Sequence, residues 1–232
     1  MDLLFIIPAR GGSKRIPGKN TKLLGNKPLI YYSIEFARKF TKDDNICLTT
    51  DSSEIIDCAA QIGLICPFIR PPYLAADTSG SYEVLQHALS FYKNQNRYFD
   101  VIVLLQPTSP FRKSFHLTEA LNFFDPTMDM LVSVQKSKAN PYYNLFEEDS
   151  SGNLMPSKGK GEYNLSQEAP PVYQYNGSLY IINVKSLETK KSFADFSEVR
   201  KYVMEDKYSI DLDTTDDWKF AEFLIATGFN KQ

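Results

Sequence analysis

The sequence predicts an α/β fold built on a mostly parallel sheet, and two observations predict it. Strand-like apolar runs alternate with helix-period segments through the first 135 residues, the pattern of βαβ units with right-handed crossovers. The run "DVIVLLQ", residues 100–106, is almost continuously hydrophobic, as a strand buried on both faces is. In such sheets ligands sit beyond the carboxyl ends of the strands. Chemistry is therefore expected in segments 10–20, 50–53, 70–79 and 106–113.

Leu3 to Pro8 reads as the first strand, followed by a basic, glycine-containing loop. A helix starts near Pro28, a favourable first-turn residue, with Ile30, Ile34 and Ala37 carrying its period. Asn45 to Thr50 is the second strand, and Asp51-Ser52-Ser53-Glu54 looks like the start of a helix. Leu64 to Ile69 reads as a third strand, Gly80 to Tyr92 as a long helix, Ser114 to Phe124 as another, and Met130 to Gln135 as a strand. From Lys136 to Pro171 the pattern breaks into proline, glycine, serine and charge, too long a stretch for a plain loop. Its Tyr142, Tyr143, Leu145, Phe146, Leu154 and Tyr163 suggest an excursion that packs on something: a hairpin, a lid or an oligomerisation arm. "GSLYIINV", 177–184, resumes strand character, and a helix from Thr215 to Ala226 is closed by Gly228. The organisation expected is one domain over 1–232 with an inserted arm over 136–172.

Composition narrows the function classes. The net charge of -2 disfavours nucleic-acid binding driven by bulk charge, so a basic segment must be a local device. Cys47, Cys58 and Cys66 form no CxxC and cannot all pair, which fits a reduced compartment. No basic, apolar leader stands at the start, and no apolar run approaches the roughly 18 residues needed to span a bilayer. The expectation is a cytoplasmic protein. His87 and His116 are the only histidines, both on expected helices, so a histidine-dependent triad and a histidine-rich zinc site are poorly supported.

The loop "ARGGSKRIPGK" carries the strongest chemical signal. Six cations lie between Arg10 and Lys27 without one acidic residue. Glycines let backbone N–H groups approach a phosphate, and lysine and arginine neutralise it. The loop is neither GxGxxG nor a Walker A motif, since Ser13 stands where the latter needs glycine and Asn20 where it needs serine or threonine. The alternative is a solvated basic turn. In "SIDLDT", Asp211 and Asp213 have the period-two spacing that turns two carboxylates to one face of a strand. Such a pair repels itself unless a cation intervenes, and hard oxygen ligands suit Mg²⁺; a strand edge beside a solvated turn is the plain alternative. "LLQPTSPFR", 104–112, runs a buried strand out into Gln106, Thr108 and Ser109. "RPPYLAADTSGS", 70–81, offers Arg70, Asp77 and Ser81, although Ser79 or Ser81 equally suits an N-cap. Asp51 suits either a nucleotide contact or a cap.

Taken with "TTD" and "YNGSLYI", these segments resemble, in order and along nearly the whole chain, the acylneuraminate cytidylyltransferases. The resemblance implies a three-layer, Rossmann-like nucleotidyltransferase fold with a protruding arm that reaches the neighbour in a homodimer. It implies Mg²⁺-dependent reaction of CTP with a nine-carbon 2-keto sugar acid, giving the CMP-sugar and pyrophosphate. Carried over by residue, Arg10, Gly11, Ser13, Lys19, Asn20, Arg70 and Ser81 would bind the nucleotide, and Asp211 and Asp213 the metal. Gln106, Tyr175 and Asn176 would meet the sugar acid, and Arg10, Lys19 and Asp211 would carry the catalysis. Before Asn176 the family often has an arginine where this chain reads Val172-Tyr173-Gln174-Tyr175, so the acceptor stays open among N-acetylneuraminate, legionaminate and pseudaminate. An eight-carbon keto-acid as acceptor, a glycosyltransferase and a non-catalytic nucleotide sensor are the rival readings.

Overall fold

The computed structural model describes residues 1–76 and 79–229. Asp77, singled out from the sequence, lies outside the described residues.

In chain order the elements are β1 (Leu3–Pro8), a small antiparallel pair β2 (Leu23–Leu24) and β3 (Lys27–Pro28), α1 (Leu29–Ala37), β4 (Ile46–Thr49), α2 (Ser53–Ala60) and α3 (Ser81–Lys93). There follow β5 (Val101–Leu104), α4 (Ser114–Phe123), β6 (Met130–Lys136), the hairpin strands β7 (Phe146–Glu148) and β8 (Leu154–Pro156), and β9 (Tyr173–Asn183). α5 (Val184–Thr189), β10 (Val199–Val203) and α6 (Thr215–Ala226) complete the chain.

The main sheet has the order β10-β6-β9-β5-β1-β4. β1 pairs in parallel with both β4 and β5, and β10 in parallel with β6. Only β9 runs antiparallel, between β5 and β6. The mostly parallel sheet is as expected. Alternation along the strands fills both faces. Phe5, Ile7, Leu48, Val103 and Leu131 pack under α1, α2 and α4. Leu4, Ile6, Ile102, Leu104 and Val132 pack under α3 and α5. Two buried faces with helices on each make three layers and explain the continuous apolar runs.

A third cluster positions the site. Ile16 from the basic loop, Phe111 from the loop after β5, Leu212 from between the two aspartates, and Trp218 of α6 are all fully or almost fully buried together. Three segments remote in sequence are thereby pinned to one another by apolar burial, worth roughly 1.5–3 kcal/mol for each large side chain.

Two strand expectations fail. Leu64–Ile69 forms no strand: Pro67 has no N–H to give, and only an isolated parallel bridge from Thr50 to Ile69 continues the edge of β4. "SIDLDT" joins no strand: the Leu212 N–H donates to the Thr108 carbonyl at 2.8 Å, and the Asp213 N–H folds back on the Asp211 carbonyl at 3.1 Å. The excursion is a hairpin, closed at its root by the Ser137 N–H on the Val172 carbonyl at 2.9 Å. Among the described residues no helix is long and apolar enough to cross a membrane.

Candidate nucleotide and acceptor cleft

A cleft of about 340 Å³ opens beyond the carboxyl ends of β1 and β5, where the strand order reverses. It brings together seven of the residues expected from the sequence: Arg10, Ser13, Lys19, Asn20, Arg70, Ser81 and Gln106. Leu74, Val84 and Leu85 add an apolar wall suited to a base or sugar ring.

The basic loop is shaped by its neighbours. Asn20, buried, donates from Nδ2 to the Arg10 carbonyl at 3.1 Å and so closes the loop on itself. Gly18 adopts φ +60, where glycine costs nothing. Gly11 lies against the start of α2: its N–H donates to Asp51 Oδ1 at 2.9 Å, and a Cβ there would stand 2.8 Å from the Ser52 Cβ. Its glycine requirement thus has a packing cause, and Asp51 serves the loop rather than capping the helix. Arg70 is buried and anchored on Thr49, to Oγ1 at 3.1 Å and to the carbonyl at 2.6 Å. Burial pulls its pKa down, with Arg10 adding repulsion that Asp51 offsets.

The acidic segment meets the loop at Lys19. Lys19 Nζ donates to the Leu212 carbonyl at 2.7 Å and lies 3.5 Å from Asp213 Oδ1, while Arg15 reaches Asp213 Oδ2 at 2.9 Å. Asp211, which does not line the cleft, accepts a hydrogen bond from Thr108; desolvation by its neighbours, then the Asp213 charge, raise its pKa against the pull of Thr108 and Lys19. Asp213 thus faces two cations, while the hydrogen-bond partner of Asp211 is the Thr108 hydroxyl. Among the described residues no third histidine, cysteine or acidic residue joins the two carboxylates in a metal-sized cluster. Two protein carboxylates with the remaining positions left to phosphates and water is how Mg²⁺ is commonly held, so the donor set fits that ion.

At the Gln106 end of the cleft, Gln106 and Ser109 press against Gly177, φ +70: a Cβ there would lie 2.9 Å from Gln106 Oε1 and from Ser109 Oγ. Asp211 Oδ2 is 3.8 Å from the same point. Tyr175 is exposed and stands edge-on to Tyr180, ring centroids 6.0 Å apart. Asn176 does not reach the cleft. It is buried, accepting from Ser133 Oγ at 2.6 Å and donating to Ser209 Oγ at 2.9 Å, so its amide ties β9 to its neighbours. The sequence reading also missed Tyr180, paired across β5 with Leu104. Burial, then Tyr175 and Asp211, push its hydroxyl up to about 12. The signal was present in the second half of "YNGSLYI". Neither histidine lines the cleft; His116 Nδ1 accepts the Lys113 N–H at 2.9 Å, and burial lowers its pKa to about 4.

A cation-rich pocket at a strand-order reversal suits a triphosphate, and with this sheet it places the protein among the nucleotidyltransferases. The chain belongs to the cytidylyltransferase family, which it matches over residues 4–228. It is 38% identical over 227 residues to the CMP-N,N'-diacetyllegionaminic acid synthase of Legionella pneumophila, covering 97% of each chain. It is 32% identical to the pseudaminic acid cytidylyltransferase of Campylobacter jejuni, covering 97% and 96%. With the N-acylneuraminate cytidylyltransferase of Streptococcus agalactiae serotype V the identity is 35%, and the whole chain matches 56% of that longer protein. A solved structure of CMP:2-keto-3-deoxy-manno-octonic acid synthetase complexed with CTP has TM-score 0.71 and 16% identity, covering 98% of this chain and 100% of that one, a likeness of fold.

Proposed function

We propose that the protein joins CTP to a nine-carbon 2-keto sugar acid of the legionaminate, pseudaminate or N-acetylneuraminate type, giving the CMP-sugar and pyrophosphate. The observation that carries the reading is the end-to-end likeness, 97% of both chains, to a CMP-N,N'-diacetyllegionaminic acid synthase. The eight-carbon alternative has only a neighbour at 16% identity on its side.

In this reading Arg10, Lys19 and Arg70 hold and neutralise the phosphates, with Ser13 and Asn20 shaping the loop and Ser81 closing the nucleoside end. Gln106 and Tyr175 face the acceptor. Its anomeric hydroxyl forms the new bond to the α-phosphorus. The bond from that phosphorus to the β-phosphate bridging oxygen breaks, pyrophosphate leaves with the electron pair, and the hydroxyl proton passes to solvent. Positioning and charge neutralisation supply the rate, since phosphoryl chemistry of this kind asks little covalent work of the protein. Asp211 and Asp213 would hold Mg²⁺, which supplies further charge neutralisation at the phosphates when bound. Lys19, 3.5 Å from Asp213, would contact the departing phosphates from beside that carboxylate.

The hairpin supports a homodimer. Leu145, Phe146, Leu154, Met155 and Leu165 are all more than two-fifths exposed on one projection, an apolar surface that a second copy would cover.

Pyrophosphate release is the test. The protein is incubated with Mg²⁺, each of four nucleoside triphosphates, and sugar acids of eight and nine carbons. Release is expected with CTP and at least one nine-carbon acid; release only with an eight-carbon acid, or with none, removes the reading.

A further inference from the structure

Arg112 lies behind the acceptor wall and is 5% exposed. Its guanidinium joins three elements: Nη2 donates to the Gln106 carbonyl, Nη1 to Ser33 Oγ of α1 at 2.9 Å, and Nε to Ser178 Oγ of β9 at 3.4 Å. All three acceptors are neutral oxygens, and no carboxylate pairs with it among the described residues. Burial lowers its pKa to about 9. A buried cation without a counter-ion costs stability, and an apolar side chain of similar volume would fill the space at less cost. The guanidinium also lies over the Phe36 ring, 5.6 Å from its centroid, a contact that offsets part of that cost; what a methionine could not do is hold three groups in one planar fork.

Two of those groups belong to the acceptor wall. The Gln106 carbonyl fixes the residue whose side chain presses on Gly177, and Ser178 is the residue after that glycine. The far side of the same loop is tied down independently, Ser109 Oγ donating to the Asn176 carbonyl at 2.9 Å. The loop after β5 is thus fastened to β9 at two points, by Arg112 and by Ser109. The nucleotide side has its own anchors: Arg70 on Thr49, Lys19 on the Leu212 carbonyl, Asn20 on the Arg10 carbonyl. None of these touches Arg112.

We propose that Arg112 is a positioning residue for the acceptor: through the Gln106 carbonyl and Ser178 it holds the Gln106 side chain at the distance from the triphosphate that in-line attack requires. The inference rests on the reading of Gln106 as an acceptor contact. Its signature is a split between substrates, because the nucleotide half keeps its own supports.

The experiment compares wild type with Arg112→Met, Arg112→Lys and the milder Ser33→Ala, each checked for folding by thermal melting. Arg112→Met is expected to lower kcat/KM for the sugar acid at least tenfold while the Kd for CTP stays within twofold. Arg112→Lys, keeping charge but not the fork, is expected to fall between. Ser33→Ala, which removes one partner, is expected to shift the same parameter in the same direction and serves if Arg112→Met does not fold. Acceptor kinetics within twofold of wild type, or an equal loss of CTP affinity, overturn the proposal. Amide hydrogen exchange in the ligand-free proteins reads it without turnover: faster exchange confined to 105–109 in Arg112→Met supports it, and unchanged exchange there, or equal loosening of 10–20, overturns it. A wild type that turns over no sugar acid would remove the functional reading while leaving that exchange result to stand or fall alone.

Discussion

Lys19 and Asp213 meet across 194 residues of sequence, the ammonium 3.5 Å from the carboxylate and bonded at 2.7 Å to the carbonyl of Leu212 next to it. The basic loop and the acidic segment therefore meet at one place in the fold. Fully buried Ile16 and Leu212 hold the two segments in place, so their meeting is a consequence of core packing rather than of the ion pair alone. An exposed pair of this kind contributes little by itself, but here Lys19 is only 11% exposed and its position is set on both sides.

Lys19→Ala is expected to weaken CTP binding about 10- to 100-fold, the range of roughly 1.5–3 kcal/mol for a hydrogen bond to a charged group. Isothermal titration with CTP checks it. An unchanged affinity would move the phosphate site away from the basic loop.

Asp211→Asn is expected to remove most Mg²⁺-dependent turnover while the metal-free protein keeps its melting temperature or gains slightly. The folded-state pKa of Asp211 is raised, so its ionised form is disfavoured by folding at neutral pH. Replacing it with a neutral amide relieves repulsion with Asp213. Turnover at the wild-type rate would refute the metal assignment, and a large drop in melting temperature would refute the electrostatic argument.

The fold was legible where burial on both faces left continuous apolar runs, as in β1 and β5, and where helices carried their period, as in α3, α4 and α6. It was not legible at β10, "VRKYV", an edge strand in which only Tyr202 is buried and charge replaces alternation. Leu64–Ile69 misled because apolar residues were read as a ladder, whereas Ile65 and Ile69 are 84% and 70% exposed. For the site, residue types and spacing located Arg10, Lys19, Arg70 and Gln106 in one cleft. The two aspartates lie on no strand: Leu212 between them turns into the core, and Asp213 meets Lys19 and Arg15. That the Asn176 amide is committed to Ser133 and Ser209, and that Arg112 is buried, could not be read from the sequence, because a motif does not say which of its members point inward.

Asp129 gives a pH signature independent of the site. Burial alone would raise its pKa, but Lys190, Ser186 and the N–H groups of Glu198 and Ser197 outweigh it and hold the carboxyl well below the usual range. A depressed folded pKa contributes stability above the unfolded value, about 3.9, and that contribution is lost as pH falls from about 5. Asp129→Asn is expected to cost about 1.5–3 kcal/mol at pH 7, the range for hydrogen bonds to a charged group, since Lys190 is partly exposed. In urea titrations the gap between mutant and wild type should shrink from pH 5 to pH 2; a gap constant with pH would contradict the assignment.

If the hairpin joins two copies as proposed, the full chain is expected to sediment as a dimer, and replacing 138–171 with a short turn across the Ser137–Val172 hydrogen bond is expected to give a folded monomer. A dimer that survives the deletion would show that another surface joins the copies.

The most direct test of the central claim follows the oxygen itself. The sugar acid that the protein accepts is prepared with ¹⁸O at the anomeric hydroxyl, mixed with CTP, Mg²⁺ and enzyme, and observed by ³¹P NMR. Attack on the α-phosphorus, as the cleft is read here, puts the label in the bridge of the CMP-sugar, seen as an isotope-shifted phosphorus, with unlabelled pyrophosphate beside it. A CMP-sugar without the label, or labelled pyrophosphate, would contradict the account.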